Sequence, residues 1–388
     1  MRVVAYNADH EALRDSVARF AAERIAPYVT EWDEAGSFPR SLYREAAELG
    51  LLGIGYPEAL GGTPATTSMR MVIAQTMSRV SASGGILASL FSHNIGLPPI
   101  VALGAPELQR ELVPPVLRGE RIAALAITEP GAGSDVASLR TRARLEGDHW
   151  VIDGEKAYIT SGLRADLITV AVRTGGPGAA GISLIAVDGD TPGLTRTPLA
   201  KMGWWCSDTA LLHFEACRVP ARRRLGDEGS GFSEGSAFLA IMENFNGERL
   251  LMSAGALGFA EACFDEALDW VRQRKTFGQP LIERQVIRHK LADMRMRIES
   301  TRAWLEALAA RQDAGEHTPQ WVAEVCLLKN HATQTLQWCA DQGVQMLGAM
   351  GFVRGTKCER IYREAKVMMI GGGAEEIMKE LAARQLGL

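Results

Sequence analysis

Cysteine is scarce in this sequence, and the cysteines present are not spaced as a metal site or a disulfide framework requires. The 388-residue chain contains six cysteines and seven histidines, with no CxxC pair and no histidine at ligand spacing from a cysteine. The cysteines are Cys206, Cys217, Cys263, Cys326, Cys339 and Cys358. We therefore expect reduced, mostly buried thiols and no metal site.

An excess of charge of one sign is also missing, and so are long apolar runs. The chain has 42 basic and 46 acidic residues, a formal net charge of −4, so nothing favours binding to nucleic acid or anionic lipid. No apolar run reaches the roughly 18 residues that a membrane span needs. The opening segment, MRVVAYNADHEALRDSVARF, carries acidic residues where a signal peptide would be apolar. These absences predict a cytoplasmic protein that binds neither nucleic acid nor membrane.

Two glycine motifs of other enzyme classes are present only in part. Residues 131–133 (GAG) match the start of a dinucleotide fingerprint, but the third glycine and the strand–helix context are missing. Residues 231–235 (GFSEG) match the nucleophile elbow of hydrolases, yet the polar stretch RRRLGDEGS precedes them where an apolar strand is required. We interpret the second motif as a linker. Neither a nicotinamide site nor a nucleophilic serine is expected.

The periodicity of apolar residues divides the chain into three parts. Residues 1–122 have the spacing of helices, residues 123–232 have short runs of period two, and residues 233–388 are helical again. Helices are predicted at 11–26, 40–49, 67–80 and 107–117. Strands are predicted in AALAIT, SLRTRARLEG, HWVIDGEKAYIT, DLITVAVRT, ISLIAVD and TALLHFEACRVP. The order predicts an α+β protein with a β-barrel or β-sandwich between two helical domains.

The last part has the pattern of a helical bundle. Six residues are spaced alternately by three and four positions, as in the seam of a helix packed lengthwise on another. They are Leu291, Met294, Ile298, Thr301, Leu305 and Leu308. Residues 322–347 offer a second long helix.

Three loops at the edges of the β-region combine glycine with short hydrogen-bonding side chains. They are residues 127–135 (ITEPGAGSD), 158–162 (YITSG) and 201–209 (KMGWWCSDT). Any one of them would pass as an ordinary turn. Together they suit a large, flat ligand with polar edges, because backbone amides and hydroxyls can hold its rim while its face stays apolar. A flavin is such a ligand.

These loops belong to an ordered set of sequence blocks that resembles the acyl-CoA dehydrogenase family over nearly the whole chain. The blocks are AITEPGAGSD, YITSGLRADL, KMGWWCSDTALLHFEACRVP, RKTFGQPL, QMLGAMGF, ERIYREAKVMMI and GGGAEEIMKEL. Ala349 departs from a position that is usually glycine. The resemblance implies a C-terminal four-helix bundle, FAD as cofactor and an acyl-CoA substrate oxidised to the trans-2-enoyl thioester. It also implies a homotetramer and an electron-transfer flavoprotein as electron acceptor.

The resemblance further implies which residues bind FAD. In relatives the first loop binds the flavin ring, with Thr128 as a hydrogen-bonding contact, and the second loop follows at Tyr158, where many relatives have tryptophan. Residues matching Arg274, Thr276 and positions 345–349 reach the FAD of a neighbouring subunit. The full set of implied cofactor contacts is Leu125, Ile127, Thr128, Gly133, Ser134, Tyr158, Ile159, Thr160, Arg274, Thr276, Gln285, Gln345, Gly348, Ala374 and Glu376.

The catalytic base is the point where the chain departs from the commonest relatives. Their glutamate lies where this chain has Gly372, and glycine cannot remove a proton. Either catalysis is lost or the base comes from elsewhere. Isovaleryl-CoA and long-chain acyl-CoA dehydrogenases carry their base on a helix directly before Arg-Leu, and here Glu248 precedes Arg249 and Leu250. We therefore predict Glu248 as the base; as a plain acid at a helix start it would instead have its pKa lowered by the helix dipole.

The resemblance also implies the substrate contacts. The backbone N–H of Gly373 is implied to bind the thioester carbonyl, an oxyanion-hole role. The implied substrate-binding set is Ser134, Asn246, Arg249, Gly372 and Gly373. An acyl-CoA oxidase that uses oxygen and a non-catalytic acyl-thioester-binding flavoprotein remain as alternatives. Acyl chain length stays open, with medium, long or branched chains favoured, and so does the choice between coenzyme A and a carrier protein.

Overall fold

A central sheet lies between two groups of helices, which confirms the predicted order of the three parts. The computed structural model describes Val4, residues 6–226 and residues 236–388. The motif at residues 231–235 and the predicted boundary at residue 232 lie outside the described residues.

The first part is helical throughout. Its helices are α1 (Ala8–Arg24), α2 (Val29–Ala35), α3 (Ser41–Glu48), α4 (Thr67–Ser81), α5 (Gly84–Leu90), α6 (His93–Gly96), α7 (Pro98–Leu103) and α8 (Pro106–Leu117). The four predicted helices correspond to α1, α3, α4 and α8. Side-chain caps fix two of the starts, since Asn7 accepts from the amides of the first turn of α1 and Thr66 accepts from the amide of Met69 in α4.

The middle part forms a mixed sheet. Its strands are β1 (Ala123–Ala126), β2 (Arg142–Glu146), β3 (His149–Ile159), β4 (Leu167–Arg173), β5 (Ile182–Asp188), β6 (Leu194–Pro198) and β7 (Ala210–Pro220). The order is β1-β4-β2-β3-β7-β6, with β5 pairing antiparallel to β4 and β1 pairing parallel to it. Six of these strands were expected from their period-two pattern. Strand β6, which the sequence did not reveal, pairs along β7 and is largely exposed.

The last part packs long helices side by side. They are α9 (Ser236–Gln273), α10 (Gln285–Asp313), α11 (Pro319–Leu347), α12 (Ala349–Phe352), α13 (Lys357–Ile370) and α14 (Glu375–Leu386), with a short hairpin of β8 (Lys275–Thr276) and β9 (Gln279–Pro280). All six residues of the predicted α10 seam are buried. Glycines 371–373 end α13 and precede α14.

One helix start is wrong in the sequence prediction. The pattern places a helix start at Glu248, but α9 already begins at Ser236, so Glu248 lies well inside the helix. Asparagine and glycine before Glu248 weaken helix propensity. Here the asparagine side chains bond forward along the helix: Asn244 donates to Glu248, and Arg249 donates to Asn246. They therefore do not compete with the helical backbone.

Three further sequence expectations concern thiols, metals and membranes. All six cysteines are free and buried, which confirms their predicted burial. Within the described residues, no group of three or more His, Cys, Asp or Glu side chains is arranged to hold a metal ion. Over the same residues no single helix is long and apolar enough to cross a membrane. One pair of consecutive helical segments, Gly84–Leu90 and His93–Leu103, has the length and composition of a span when taken together, but the two segments are bent by 46° relative to each other.

Candidate active site

Two of the three loops predicted to suit a flavin, residues 127–135 and 158–162, lie side by side where β1 and β3 end, and the third, residues 201–209, directly precedes β7. The amide of Ala157, near the end of β3, donates to the carbonyl of Thr128, just after β1, at 2.8 Å. The buried ammonium of Lys156 donates to the carbonyl of Ile127 at 2.9 Å and to the carboxylate of Glu129 at 2.8 Å. Since a buried ion pair is costly to break, this contact fixes the first loop on the strand that carries the second.

Three hydroxyl groups on these loops are free to bind a ligand. Within the described chain, the hydroxyls of Thr128, Ser134 and Thr160 make no hydrogen bond to protein. Tyr158 is 67% exposed and has a φ of 60°, a left-handed conformation that is costly for a tyrosine. An ideal β-carbon on Gly133 would meet nothing within 4 Å, so the loop borders open space. Free hydroxyls around an open, glycine-bearing edge fit a flat ligand with a polar rim, as FAD requires.

Five of the implied cofactor residues lie elsewhere. Arg274 directly precedes the β8–β9 hairpin and Thr276 belongs to it; Gln285 begins α10, Gln345 lies near the end of α11, and Gly348 follows that helix. Thr276 is half-buried and the other four are exposed. Among the described residues, no hydrogen bond joins any of the five to the two flavin loops. An accessible place is the one expected of Arg274, Thr276 and residues 345–349, which the resemblance assigns to the FAD of a neighbouring subunit.

Glu248 lies inside α9 and is partly shielded from solvent. The amide of Asn244 donates to its carboxylate at 2.8 Å. Burial raises the pKa of Glu248 to about 8, against the opposing effect of the cations Arg249 and Arg70 and of the Asn244 bond. The alternative expectation of a pKa lowered by a helix N-terminus is wrong, because Glu248 is not in a first turn. A carboxyl with a pKa near neutrality is suited to accept a proton from carbon.

The loop of glycines between α13 and α14 is joined to the same turn of α9. The guanidinium of Arg249 is buried, and its Nε donates to the carbonyl of Gly372 at 3.1 Å. Gly372 and Gly373 have φ values of 68° and 115°, conformations that favour glycine. Met252, one turn after Glu248, lies directly beside Gly372. The structure therefore brings the turn of α9 that carries Glu248 and Arg249 against the glycine loop, whose residue Gly372 lies 123 positions after Arg249.

The predicted flavin loops and helix α9 share one hydrophobic cluster. Leu125 and Ile127 are buried with Ile241 of α9, and Phe245 packs against the same group. Phe245 lies one turn before Arg249, whose guanidinium carbon is 5.9 Å from the centre of its ring. Within the described chain, Ala374 and Glu376 are not hydrogen-bonded to the two flavin loops. Apolar packing at the start of α9 therefore joins the predicted flavin loops to the helix that carries Glu248.

Several site residues escape sequence reasoning. Asn244 and Arg70 act on the Glu248 carboxyl, Lys156 holds the first loop, and Lys329 is a fully buried lysine in α11. Lys329 had a detectable sign: it interrupts an apolar stripe of a long helix between Cys326 and Ala332, where a charged residue needs a specific partner. The other three depend on contacts between distant segments and leave no pattern in the sequence.

Three protein-family models match this chain along nearly its full length. They are described as "Acyl-CoA dehydrogenase, N-terminal domain" over residues 7–120, "Acyl-CoA dehydrogenase, middle domain" over residues 124–217 and "Acyl-CoA dehydrogenase, C-terminal domain" over residues 235–387.

Individual relatives are similar over the same extent. The mitochondrial long-chain specific acyl-CoA dehydrogenase of Rattus norvegicus is 35% identical over 387 residues, covering 98% of this chain and 87% of that protein. A crystal structure from Mycobacterium smegmatis has a TM-score of 0.94 at 47% identity and 98% coverage of both chains. The structure of a glutaryl-CoA dehydrogenase from Mycobacterium smegmatis in complex with FADH2 has a TM-score of 0.90 at 25% identity, covering 98% of this chain and 95% of that one.

Proposed function

The chain belongs to the acyl-CoA dehydrogenase family, whose members are FAD-dependent oxidoreductases acting on acyl-CoA, and we propose that Glu248 is the base with which it forms a trans-2-enoyl thioester. The observation that carries this proposal is the bond between Arg249 and the carbonyl of Gly372. It holds the helical turn bearing Glu248 against the loop where the commonest relatives carry their base. The missing carboxyl at residue 372 is thus supplied by α9.

The chemistry expected of Glu248 follows from its surroundings. It takes the α-proton of the thioester onto a carboxylate oxygen, and the Asn244 amide orients that carboxyl from the preceding turn. Partial burial keeps water away and raises the pKa to about 8, which strengthens the base. A positioned base of this kind contributes roughly 10² to 10⁴ in rate.

Binding of substrate and cofactor is assigned to the residues around this base. The N–H of Gly373 is proposed to bind the thioester carbonyl, with Ser134 and Asn246 close to the acyl group. The cofactor is proposed to lie against Leu125, Thr128 and the other free groups of the two loops, while Arg274 and Gln345 reach the FAD of a neighbouring subunit. Bound FAD supplies the acceptor for the hydride that leaves the substrate β-carbon.

A homotetramer and an electron-transfer flavoprotein as acceptor complete the proposal. Large apolar side chains on the outer surface support the first part: Phe277 is 97% exposed and Phe352 is 88% exposed. Both lie close in sequence to residues proposed to serve a neighbouring subunit, Thr276 and Gly348. Light scattering of the holoenzyme tests the tetramer, and reoxidation of the reduced flavin by air against that by the flavoprotein separates a dehydrogenase from an oxidase.

The decisive experiment replaces Glu248 by glutamine in the FAD-bound protein. Glu248→Gln keeps the shape and the Asn244 contact but removes the base, so we expect retained flavin absorbance and a fall in turnover of at least about 10². Glu380→Gln, on the exposed face of α14, is the matched control and is expected to behave as wild type. Unchanged turnover in Glu248→Gln would refute the assignment. A panel of acyl-CoA thioesters from short to long, followed by flavin bleaching, defines the acyl chain.

A further inference from the structure

Two buried cations bind the carbonyl groups around the glycine loop. Lys329 is fully buried in α11, and its ammonium donates to the carbonyl of Met369 at 3.1 Å and to that of Gly373 at 2.8 Å. Arg249, 5% exposed, donates to the carbonyl of Gly372 between them. Among the described residues neither cation forms a direct ion pair with a carboxylate. Two charged groups are thus used to hold neutral backbone.

Ordinary helix capping explains only part of this arrangement. Met369 lies in the last turn of α13, where carbonyls lack helical partners and a lysine is a common substitute. Capping accounts for that bond, but not for the bond from Lys329 to Gly373 or for the bond from Arg249 to Gly372. Burial and the nearby Arg249 lower the pKa of Lys329 to about 8, which shows that placing an ammonium here is unfavourable. Helix capping alone therefore does not explain a buried lysine at this position.

The loop itself supplies that reason, because the carbonyls of Gly372 and Gly373 are bound while the amides that follow them are free. Within the described chain, neither the N–H of Gly373 nor that of Ala374 donates to another residue. The carbonyl of Gly372 and the N–H of Gly373 belong to one peptide unit. A hydrogen bond accepted at one end of a peptide unit polarises the other end and strengthens it as a donor. Arg249 therefore acts on the Gly373 amide through the Gly372 carbonyl.

The flexibility of the glycine loop is a second reason why it needs to be held by other parts of the protein. Three consecutive glycines have the most flexible backbone available, so an amide among them keeps one direction only if the loop is held from outside. Lys329 bridges the end of α13 and the peptide that follows Gly373, while Asn330, next to it on α11, donates to the carbonyl of Glu375 at 2.9 Å. Helix α11 thus holds the loop at its two ends and Arg249 holds it in the middle.

We propose that Lys329 is a positioning residue which, together with Arg249, fixes and polarises the peptide units of the glycine loop so that the Gly373 N–H binds the thioester carbonyl as negative charge develops on its oxygen. The proposal rests on the proposed function, since the charge appears when the α-proton leaves. Lys329 does not touch the substrate; it acts through Gly373.

The test compares Lys329→Met with wild-type holoenzyme. Methionine keeps an apolar stem and removes every donor, so we expect kcat per bound flavin to fall about 10- to 100-fold while KM changes little, because the contact is strongest in the transition state. Lys379→Met, an exposed lysine on α14, is the matched control and keeps wild-type values. Lys329→Gln, whose side-chain amide can still donate a hydrogen bond, is expected to have a kcat between those of wild type and Lys329→Met.

A direct readout of the thioester carbonyl separates this role from a merely structural one. Pivaloyl-CoA has no α-hydrogen and cannot react, so its ¹³C-labelled carbonyl stretch can be measured by difference infrared spectroscopy in the bound state. We expect a lowered frequency in wild type and in Glu248→Gln, and a smaller shift in Lys329→Met. The measurement does not depend on turnover, so it stands even if Glu248 proves not to be the base.

The outcomes are distinct. Joint loss of kcat and of the carbonyl shift in a variant that retains FAD supports the proposal. A normal carbonyl shift in Lys329→Met, whether or not its rate falls, overturns it, because the lysine then serves folding alone. If Lys329→Met does not fold, the same two readouts on Lys329→Gln decide: wild-type values for both overturn the proposal, and reduced values support it.

Discussion

The sulfur of Met252 occupies the space that a side chain at Gly372 would need. An ideal β-carbon on Gly372 comes within 2.7 Å of Sδ, and the φ of 68° at Gly372 already disfavours any other residue. Met252 lies on α9 one turn after Glu248. The helix that carries the proposed base therefore also fills the place of the base in the commonest relatives.

Moving the base back should accordingly fail unless Met252 is shortened. We expect Glu248→Gly combined with Gly372→Glu to turn over no faster than Glu248→Gly alone. Adding Met252→Ala should raise turnover about 10-fold or more, a part of the contribution of a positioned base. Steady-state rates per bound flavin measure this, with Met252→Ala alone as the control. Equal rates for the double and triple variants would show that Met252 is not the obstacle.

The rate should depend on pH through Glu248. A carboxyl acts as a base only when ionised, and the pKa of Glu248 is raised to about 8, so kcat/KM should rise about tenfold per pH unit below that value and level off above it. Arg70 lowers this pKa, so Arg70→Met should move the rise to higher pH. Arg79→Met, on the same helix but paired with Asp265, should leave it in place. A flat profile from acid to neutral pH would contradict the assignment.

The raised pKa should also cost stability. Below the ordinary glutamate pKa both the folded and unfolded states are protonated, and no cost arises. As pH rises towards 8 the unfolded state ionises first, so the folded state loses relative stability. Glu248→Gln should therefore be more stable than wild type by about 1 to 3 kcal/mol near neutral pH, and the gain should vanish in acid. Urea unfolding at several pH values measures this; a pH-independent difference would point to packing instead.

Loss of Lys156 should loosen the flavin. Lys156→Met leaves the buried Glu129 carboxylate without its cation, and removing one partner of a buried pair typically costs about 3 to 5 kcal/mol. We expect less flavin per protein after gel filtration, because the loop after β1 loses its anchor. Adding Glu129→Gln removes the unpaired charge and should restore part of the flavin content. Full flavin retention in Lys156→Met would show that the pair does not support the loop.

The sequence reveals the parts of this protein that depend on local pattern. The seam from Leu291 to Leu308 and the alternating pattern of β7 can be recognised in the sequence because burial of one face imposes a fixed spacing. The glycines before Glu375 likewise mark a helix end by their backbone freedom. The resemblance to the family identified Glu248 as the candidate base. From the helical pattern alone, Glu248 would be interpreted as an ordinary acidic residue of a helix.

The remaining features depend on contacts between distant segments. The start of α9 was misplaced because Asn246 and Gly247 look like a helix break until Arg249 is seen to bind the asparagine. The partners of Lys329 lie 40 and 44 positions away, and Arg70 comes close to Glu248 only through packing of α4 on α9. No spacing rule connects such residues, so the charged groups around Glu248 and the glycine loop can be identified only from the three-dimensional structure.

Helix α9, which carries the Glu248 carboxyl, packs against α4, α10, α11 and α13. The glycine loop bears no ionisable side chain of its own. In the proposed reaction, proton removal and charge stabilisation are consequently assigned to separate pieces of backbone. Substitutions along α4 can retune the basicity of Glu248 without reshaping the loop, and substitutions along α11 can reshape the loop without altering that basicity. In the proposed reaction α4 and α11 are therefore separate points of adjustment, and Arg249 links the two functions because it lowers the Glu248 pKa and also binds the Gly372 carbonyl.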